Sequence, residues 1–154
     1  MLVPFKSATK ACQAVSAVFQ NGITPSAMEF MERDAIDWTL KYVEGVNIKV
    51  EAHHNAHLLI EIDGFEMEPL YTLAERIVAI MQEFDCDEVL FADTADQKEQ
   101  LWKMRRRVGE AVKSNSIYKE EDTVVPRYEL PKLLEGVKSI GAKYGFKSIC
   151  YGHA

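Results

Sequence analysis

The residue pattern predicts a two-layer domain, one sheet with helices packed on it, and three observations carry that prediction. Strand-like and helix-like segments alternate along all 154 residues. Several of the helical segments have one apolar face only, as a helix lying on a sheet must. The run His57-Leu58-Leu59-Ile60-Glu61-Ile62-Asp63-Gly64 is apolar almost throughout, which suits a strand in the middle of that sheet. A chain of this length is one domain that buries about 70% of its unfolded surface. No stretch reads as a linker, an internal repeat or a low-complexity tract.

Each element has its own justification. Leu2 to Phe5 is short and apolar, and Pro4 restricts it to a sheet edge or the start of a strand. Ser7 caps a helix with Ala11, Val15, Val18 and Phe19 inward, and Asn21-Gly22 ends it. After the Thr24-Pro25 turn, Ser26 to Met31 reads as a strand in which Glu29 shares a face with Ala27 and Met31. Arg33 to Val43 is helical, with Ile36, Leu40 and Val43 inward, and Gly45 closes it. Val46 to Ala56 has no clear period and reads as a loop at an edge. From Glu68 to Phe84, Leu70, Leu73, Ala74, Ile77, Ile80, Met81 and Phe84 form a single stripe.

The second half follows the same rhythm. Asp87 to Asp93 is expected to be a strand. Thr94 or Asp96 caps a long helix that buries Leu101, Met104, Val108 and Ala111 and carries Arg105 and Gly109 one turn apart on a neighbouring face. Past Ser114-Asn115-Ser116, Ile117 to Val125 reads as a strand bearing Lys119 and ended by Pro126. Leu130, Leu133, Leu134, Val137, Ile140 and Tyr144 build the last helix, Gly145 stops it, and Phe146 to Tyr151 is the final strand.

Composition excludes several functions. A net charge of −6 argues against a general nucleic-acid binder, which needs a basic surface. No apolar run approaches membrane-spanning length, and the opening MLVPFKSATK has no signal core. Cys12, Cys86 and Cys150 are an odd number without a C-x-x-C pair, so they read as buried free thiols in a reducing compartment, which points to the cytoplasm. Neither G-x-G-x-x-G nor G-x-x-x-x-G-K-[ST] is present, so no phosphate-cradling loop supports a nucleotide site in this chain.

Positive charge concentrates between Leu101 and Pro126. A helix bearing Arg105 that leads into a strand bearing Lys119 aims two cations at one anion, Arg as a planar fork and Lys as a point charge. By spacing alone, three consecutive arginines are mostly a solvated face, and Lys119 is an ordinary pair for Glu120, Glu121 or Asp122. His53, His54 and His57 are the one histidine cluster; in a loop passing into a strand they read as solvent or strand-edge residues. Glu29 and Glu32 show no partner that would identify an acid–base pair.

Four motifs, taken together and in order, resemble the C-terminal cap domain of FAD-linked 2-hydroxyacid dehydrogenases: S-A-M-E-F-M-E-R-D-A from Ser26, LW-x-x-R from Leu101, Y-K-E-E-D-T-V-V-P from Tyr118, and the terminal Y-G-H-A. Within that family the chain is similar to the glycolate oxidase catalytic subunit and D-lactate dehydrogenase group. The resemblance implies an α+β fold with a mostly antiparallel sheet and ferredoxin-like units. It implies oxidation of a small 2-hydroxy acid, with hydride transfer to FAD held by a missing N-terminal domain. Electrons would then pass to an electron-transfer partner or a quinone. It also implies that Arg105 and Lys119 bind the substrate carboxylate, and that His153 is one ligand of a divalent metal in the parent enzyme. Gly109 departs from the D-2-hydroxyglutarate branch, which has a hydroxyl residue there, so a substrate of the glycolate or D-lactate kind is expected.

On this reading, residues 1–154 are a truncated cap domain, inactive alone, in which His153 is a frayed last turn. Exposed apolar surface and self-association through a sheet edge are expected to follow. The alternative is a free-standing ferredoxin-like module that binds a small ligand or a protein and catalyses nothing.

Overall fold

A computed structural model describes residues 1–154. Four strands form one sheet: β1 (Leu2–Phe5), β2 (Ala27–Glu32), β3 (Ala56–Glu61) and β4 (Tyr151–His153). The helices are α1 (Ala8–Gln20), α2 (Arg33–Tyr42), α3 (Met67–Gln82), α4 (Ala95–Arg106), α5 (Val108–Asn115) and α6 (Leu130–Tyr144), with a 3-10 turn at Arg127–Glu129. No helix is long and apolar enough to cross a membrane.

The sheet order is β1-β3-β2-β4, and every pairing is antiparallel. Both β1 and β2 run against β3, so they are parallel to each other with β3 inserted between them. With α1 as the crossover this is a split βαβ unit, the basis of the ferredoxin-like arrangement. The apolar run predicted for a central strand is indeed β3, flanked on both sides.

The segment after α3 lies where the fourth strand of such a unit belongs, against the outer edge of β1, but it is not the strand expected at Asp87 to Asp93. It makes two isolated bridges, Phe5 to Cys86 and Leu2 to Leu90. The groups facing this edge belong to Leu2 and Pro4. Leu2 exchanges both backbone bonds with Leu90, at 2.8 and 3.0 Å. Pro4 has no N–H and offers only its carbonyl, to Asp87 at 3.0 Å, so the ladder cannot continue.

Two further strands differ from expectation. Ile117 to Val125 has no strand partner, and Ile117 and Val124 are fully or almost fully exposed. The four charges Lys119-Glu120-Glu121-Asp122 interrupt it, so neither face offers a continuous apolar row to bury. The last strand begins at Tyr151 and includes His153, which corrects both the Phe146 to Tyr151 boundary and the frayed-turn reading of His153. Pairing starts at Cys150, whose N–H donates to the Glu32 carboxylate at 2.6 Å while its carbonyl accepts the Glu32 N–H at 3.1 Å.

The helix ends follow local chemistry. Ser7 accepts the Lys10 N–H, and Thr94 makes a capping box with Gln97. The long helix expected after Thr94 is broken at Arg107 into α4 and α5, yet Leu101, Met104, Val108 and Ala111 stay buried across the break.

Alternation along the strands builds a core on each side of the sheet. Val3, Phe5, Met28, Phe30, Leu58 and Ile60 pack with α1, α3 and Leu134 of α6. On the other face Leu2, Met31 and Leu59 pack with Ile36, Leu101, Met104 and Val108 of α2, α4 and α5. Helices therefore cover the second face as well, a layer beyond the two that the pattern predicts. The stripe of α6 is only partly used: Leu134 is buried, but Ile140 and Tyr144 are exposed.

Candidate functional site

Glu29 organises one cluster. It stands in β2 on the face it shares with Met31, and its side chain is 4% exposed. A carboxylate buried on the strand face of Met31 and across from Leu59 is costly unless its charge is matched. Arg105, reaching over from α4, donates Nε–H and Nη2–H to Oε2 at 3.0 and 2.8 Å. His153 lies directly opposite Glu29 in the β2–β4 register, and its Nδ1 is 2.6 Å from Oε1. Each oxygen thus has its own partner.

Tyr151, two residues earlier in β4, completes the group. Its ring centroid is 5.8 Å from the Arg105 guanidinium carbon. A Cβ on Gly109 would sit 3.5 Å from the Tyr151 hydroxyl, an ordinary contact, so packing does not demand glycine there. Burial, and next the nearby Glu120 carboxylate, push the Tyr151 hydroxyl above its usual pKa.

The fold brings Arg105 and His153 together through Glu29 and leaves Lys119 apart. The Lys119 side chain is 86% exposed and its Nζ pairs with Glu121 at 2.5 Å, on the unpaired 117–125 segment. Sequence reasoning placed Glu29 on its strand face but missed its part in the site. The available signal was a carboxylate among inward-facing apolar residues of a strand, although its partner is 76 residues away in the chain.

Glu32 falls on the opposite face, with Phe30. Lys138 of α6 donates to it at 2.7 Å and to the Ser148 carbonyl at 2.7 Å, so this carboxylate ties α6 and the residues leading into β4 to β2. The histidines also differ from expectation. His57 lies inside β3 and is 2% exposed, and His54 is 6% exposed, so neither is a solvent or strand-edge residue. Burial first, then the charges of His54 and Arg33, push the His57 imidazole down to about 3. His53, as expected, is exposed; its Nε2 and that of His54 both contact Asp87.

Cofactor capacity follows from these contacts. A histidine that binds a metal is usually fixed by a carboxylate on its other nitrogen. The Glu29 contact at Nδ1 leaves His153 Nε2 as such a donor on a 90% exposed side chain, which fits the contribution of one ligand. Gly22, Gly45 and Gly145, the glycines with φ of 74°, all follow helix C-termini. In the glycine-rich dinucleotide turn the glycines lie ahead of a helix N-terminus, which is not where these three lie.

Fold and cluster together define an α+β domain that presents an arginine–carboxylate–imidazole group on the α2/α4/α5 side of an antiparallel sheet. The chain belongs to the family described as FAD linked oxidases, C-terminal domain, which matches residues 1–154. It is 28% identical to a D-lactate dehydrogenase of Anaerostipes hadrus, over all of this chain and 33% of the relative. It is 30% identical to the glycolate oxidase subunit GlcD of Bacillus subtilis, over all of this chain and 32% of the relative. A probable mitochondrial D-2-hydroxyglutarate dehydrogenase of Oryza sativa subsp. indica is 30% identical over 83% of this chain and 23% of its own length. The chain spans about a third of the length of the first two relatives.

Proposed function

We propose that residues 1–154 form the substrate side of the active site in an FAD-dependent 2-hydroxyacid dehydrogenase of the glycolate or D-lactate kind, with the flavin held by a domain outside this chain. The observation that carries this reading is the convergence of Arg105 and His153 on the two oxygens of Glu29. Of the five N–H donors of a guanidinium, two are spent on Glu29. The remaining three are held in a fixed plane, suited to the carboxylate of a 2-hydroxy acid. Glu29 likewise fixes the His153 tautomer: Nδ1 donates to Oε1, which would leave the Nε2 lone pair for a substrate oxygen or a metal ion. Lys119 is assigned to the same substrate carboxylate, reached from its exposed segment. FAD supplies the hydride acceptor when bound, and a metal at His153 would polarise the substrate hydroxyl oxygen. Reoxidation would involve an electron-transfer partner or a quinone.

The test uses the full-length gene product under anaerobic conditions, with glycolate, D-lactate, L-lactate and D-2-hydroxyglutarate added separately. Glycolate or D-lactate is expected to bleach the flavin. Arg105→Lys keeps a positive charge opposite Glu29 but loses the fork, and is expected to raise the half-saturating substrate concentration by about tenfold or more. A full-length product without flavin, or substrate dependence unchanged by Arg105→Lys, would overturn the proposal. Purified 1–154 is expected to be colourless and inactive; stoichiometric flavin in that preparation would contradict it.

A further inference from the structure

We propose that His53, His54 and Asp87 form a second, separate site for a divalent transition-metal ion such as Zn²⁺. The loop before β3 and the segment after α3 meet at the Phe5 end of β1, and there His53 Nε2, His54 Nε2 and a carboxylate oxygen of Asp87 lie within 4.8 Å of one another. Both imidazole nitrogens contact the same oxygen, Asp87 Oδ2, at 2.7 and 3.1 Å. A tetrahedral ion with ligand bonds of about 2.0–2.1 Å holds its donor atoms roughly 3.3 Å apart. Each imidazole nitrogen therefore needs to draw back from Asp87 Oδ2 by well under an ångström to admit it. Two imidazoles and one carboxylate are also the donor set that borderline ions favour, with the fourth position left to water.

The backbone around the cluster is already fixed. Arg33 Nη1 donates to the carbonyls of Glu51 at 2.7 Å and His54 at 3.3 Å. Asn55 donates its N–H to Phe5 O at 2.8 Å and its side-chain amide to Lys6 O at 2.6 Å. The N–H of Asp87 is held by Pro4 O. Lys6 sits on the other carboxylate oxygen, Oδ1, at 3.1 Å, and can stay there as a partner outside the ligand shell while Oδ2 takes the ion.

His54 supplies an independent indication. Its ring is more than nine-tenths buried and its Nδ1 has no hydrogen-bond partner, so the ring's one polar contact is the Nε2 aimed at this cluster. A metal bond at Nε2 would act through the one ring nitrogen that already faces polar groups.

Calorimetric titration of ZnCl₂ into the metal-free chain tests the proposal, with Co²⁺ absorption as a second readout. The variants are His53→Ala, Asp87→Asn and, as a control for the other histidine, His153→Ala; His53 is half-exposed, so its replacement leaves the core intact. The expected result is one zinc site that His53→Ala and Asp87→Asn each weaken by about tenfold or more, with His153→Ala without effect. Co²⁺ should give the intense visible band of tetrahedral coordination in the parent chain and lose it in the first two variants. Absence of binding, or binding lost only in His153→Ala, would overturn the site.

Discussion

Glu29 and Arg105 carry opposite charges at 4% and 16% side-chain exposure, so each depends on the other for its solvation. Removing one leaves the second without a counter-charge in a poorly hydrated place. Glu29→Gln is therefore expected to cost about 3 kcal/mol of stability, and Arg105→Ala a similar amount. The double variant should recover part of the loss, with a coupling of about 1–3 kcal/mol in urea denaturation. Additive losses would mean the two groups act independently. Arg105 and His153 could be singled out because they fall in short sequence motifs, though the motifs do not say that the two meet at one carboxylate. Glu29 was not legible, because nothing local to β2 announces a partner in α4 and another in β4. Cys12 shows the opposite case, a residue whose state was readable from its apolar neighbours. It is fully buried, and burial pushes its thiol from 9.0 up to about 12. The thiolate is the reactive form, so iodoacetamide should label Cys12 at mildly alkaline pH only on unfolding, after the more exposed Cys86. Rapid labelling of Cys12 in the folded chain would show that its site opens.

Among the elements, α6 separates helix propensity from packing. Gly136 and Gly141 are both helical glycines, and propensity alone predicts that Ala stabilises either position by about 1 kcal/mol. A Cβ on Gly136 meets nothing within 4 Å, so Gly136→Ala should deliver that gain. On Gly141 the Cβ would lie 2.7 Å from the carbonyl oxygen of Phe146, which is backbone and cannot swing aside. The close approach exists because the chain reverses at Gly145, in the left-handed region at φ 74°, and returns the Phe146 N–H to Gly141 O at 3.0 Å. Gly141→Ala is expected to lower stability despite the better propensity; thermal melts of the two variants moving in the same direction would refute the packing account. Helices were legible chiefly because an apolar stripe marks them, with a side-chain cap at α1 and α4, although the break between α4 and α5 was not. Strands were less so, since a strand also needs an edge to pair with. The missing N–H of Pro4 restricts the 86–90 segment, and the run of charges from Lys119 to Asp122 keeps 117–125 off the sheet.

At the scale of the whole molecule, alternation in β2 showed which of its residues point the same way and the apolar run of β3 showed a central strand, but the helices were expected to form a single second layer. Nothing in the periodicity of α2 or α4 says on which side of the sheet it will pack, and strand order depends on pairings between distant segments. One consequence of the double covering is that β3, with helices on both faces and strands on both sides, buries His57 almost completely. The folded chain keeps this imidazole neutral down to about pH 3, whereas the ordinary value is 6.5. Between those two values the unfolded chain binds a proton that the folded chain does not, so stability is full above 6.5 and falls as pH drops towards 3. The slope approaches about 1.4 kcal/mol per pH unit, and the loss between about pH 7.5 and about pH 5.5 comes to about 1 kcal/mol. This window lies above the range where carboxylates titrate, and His57→Leu, which has no proton to gain in either state, removes this one contribution while leaving the other histidines in place. Urea midpoints at the two pH values should therefore converge in the variant relative to the parent chain. An equal fall in both proteins would mean that His57 takes up its proton without unfolding the domain, and that β3 is less enclosed than the packing on its two faces implies.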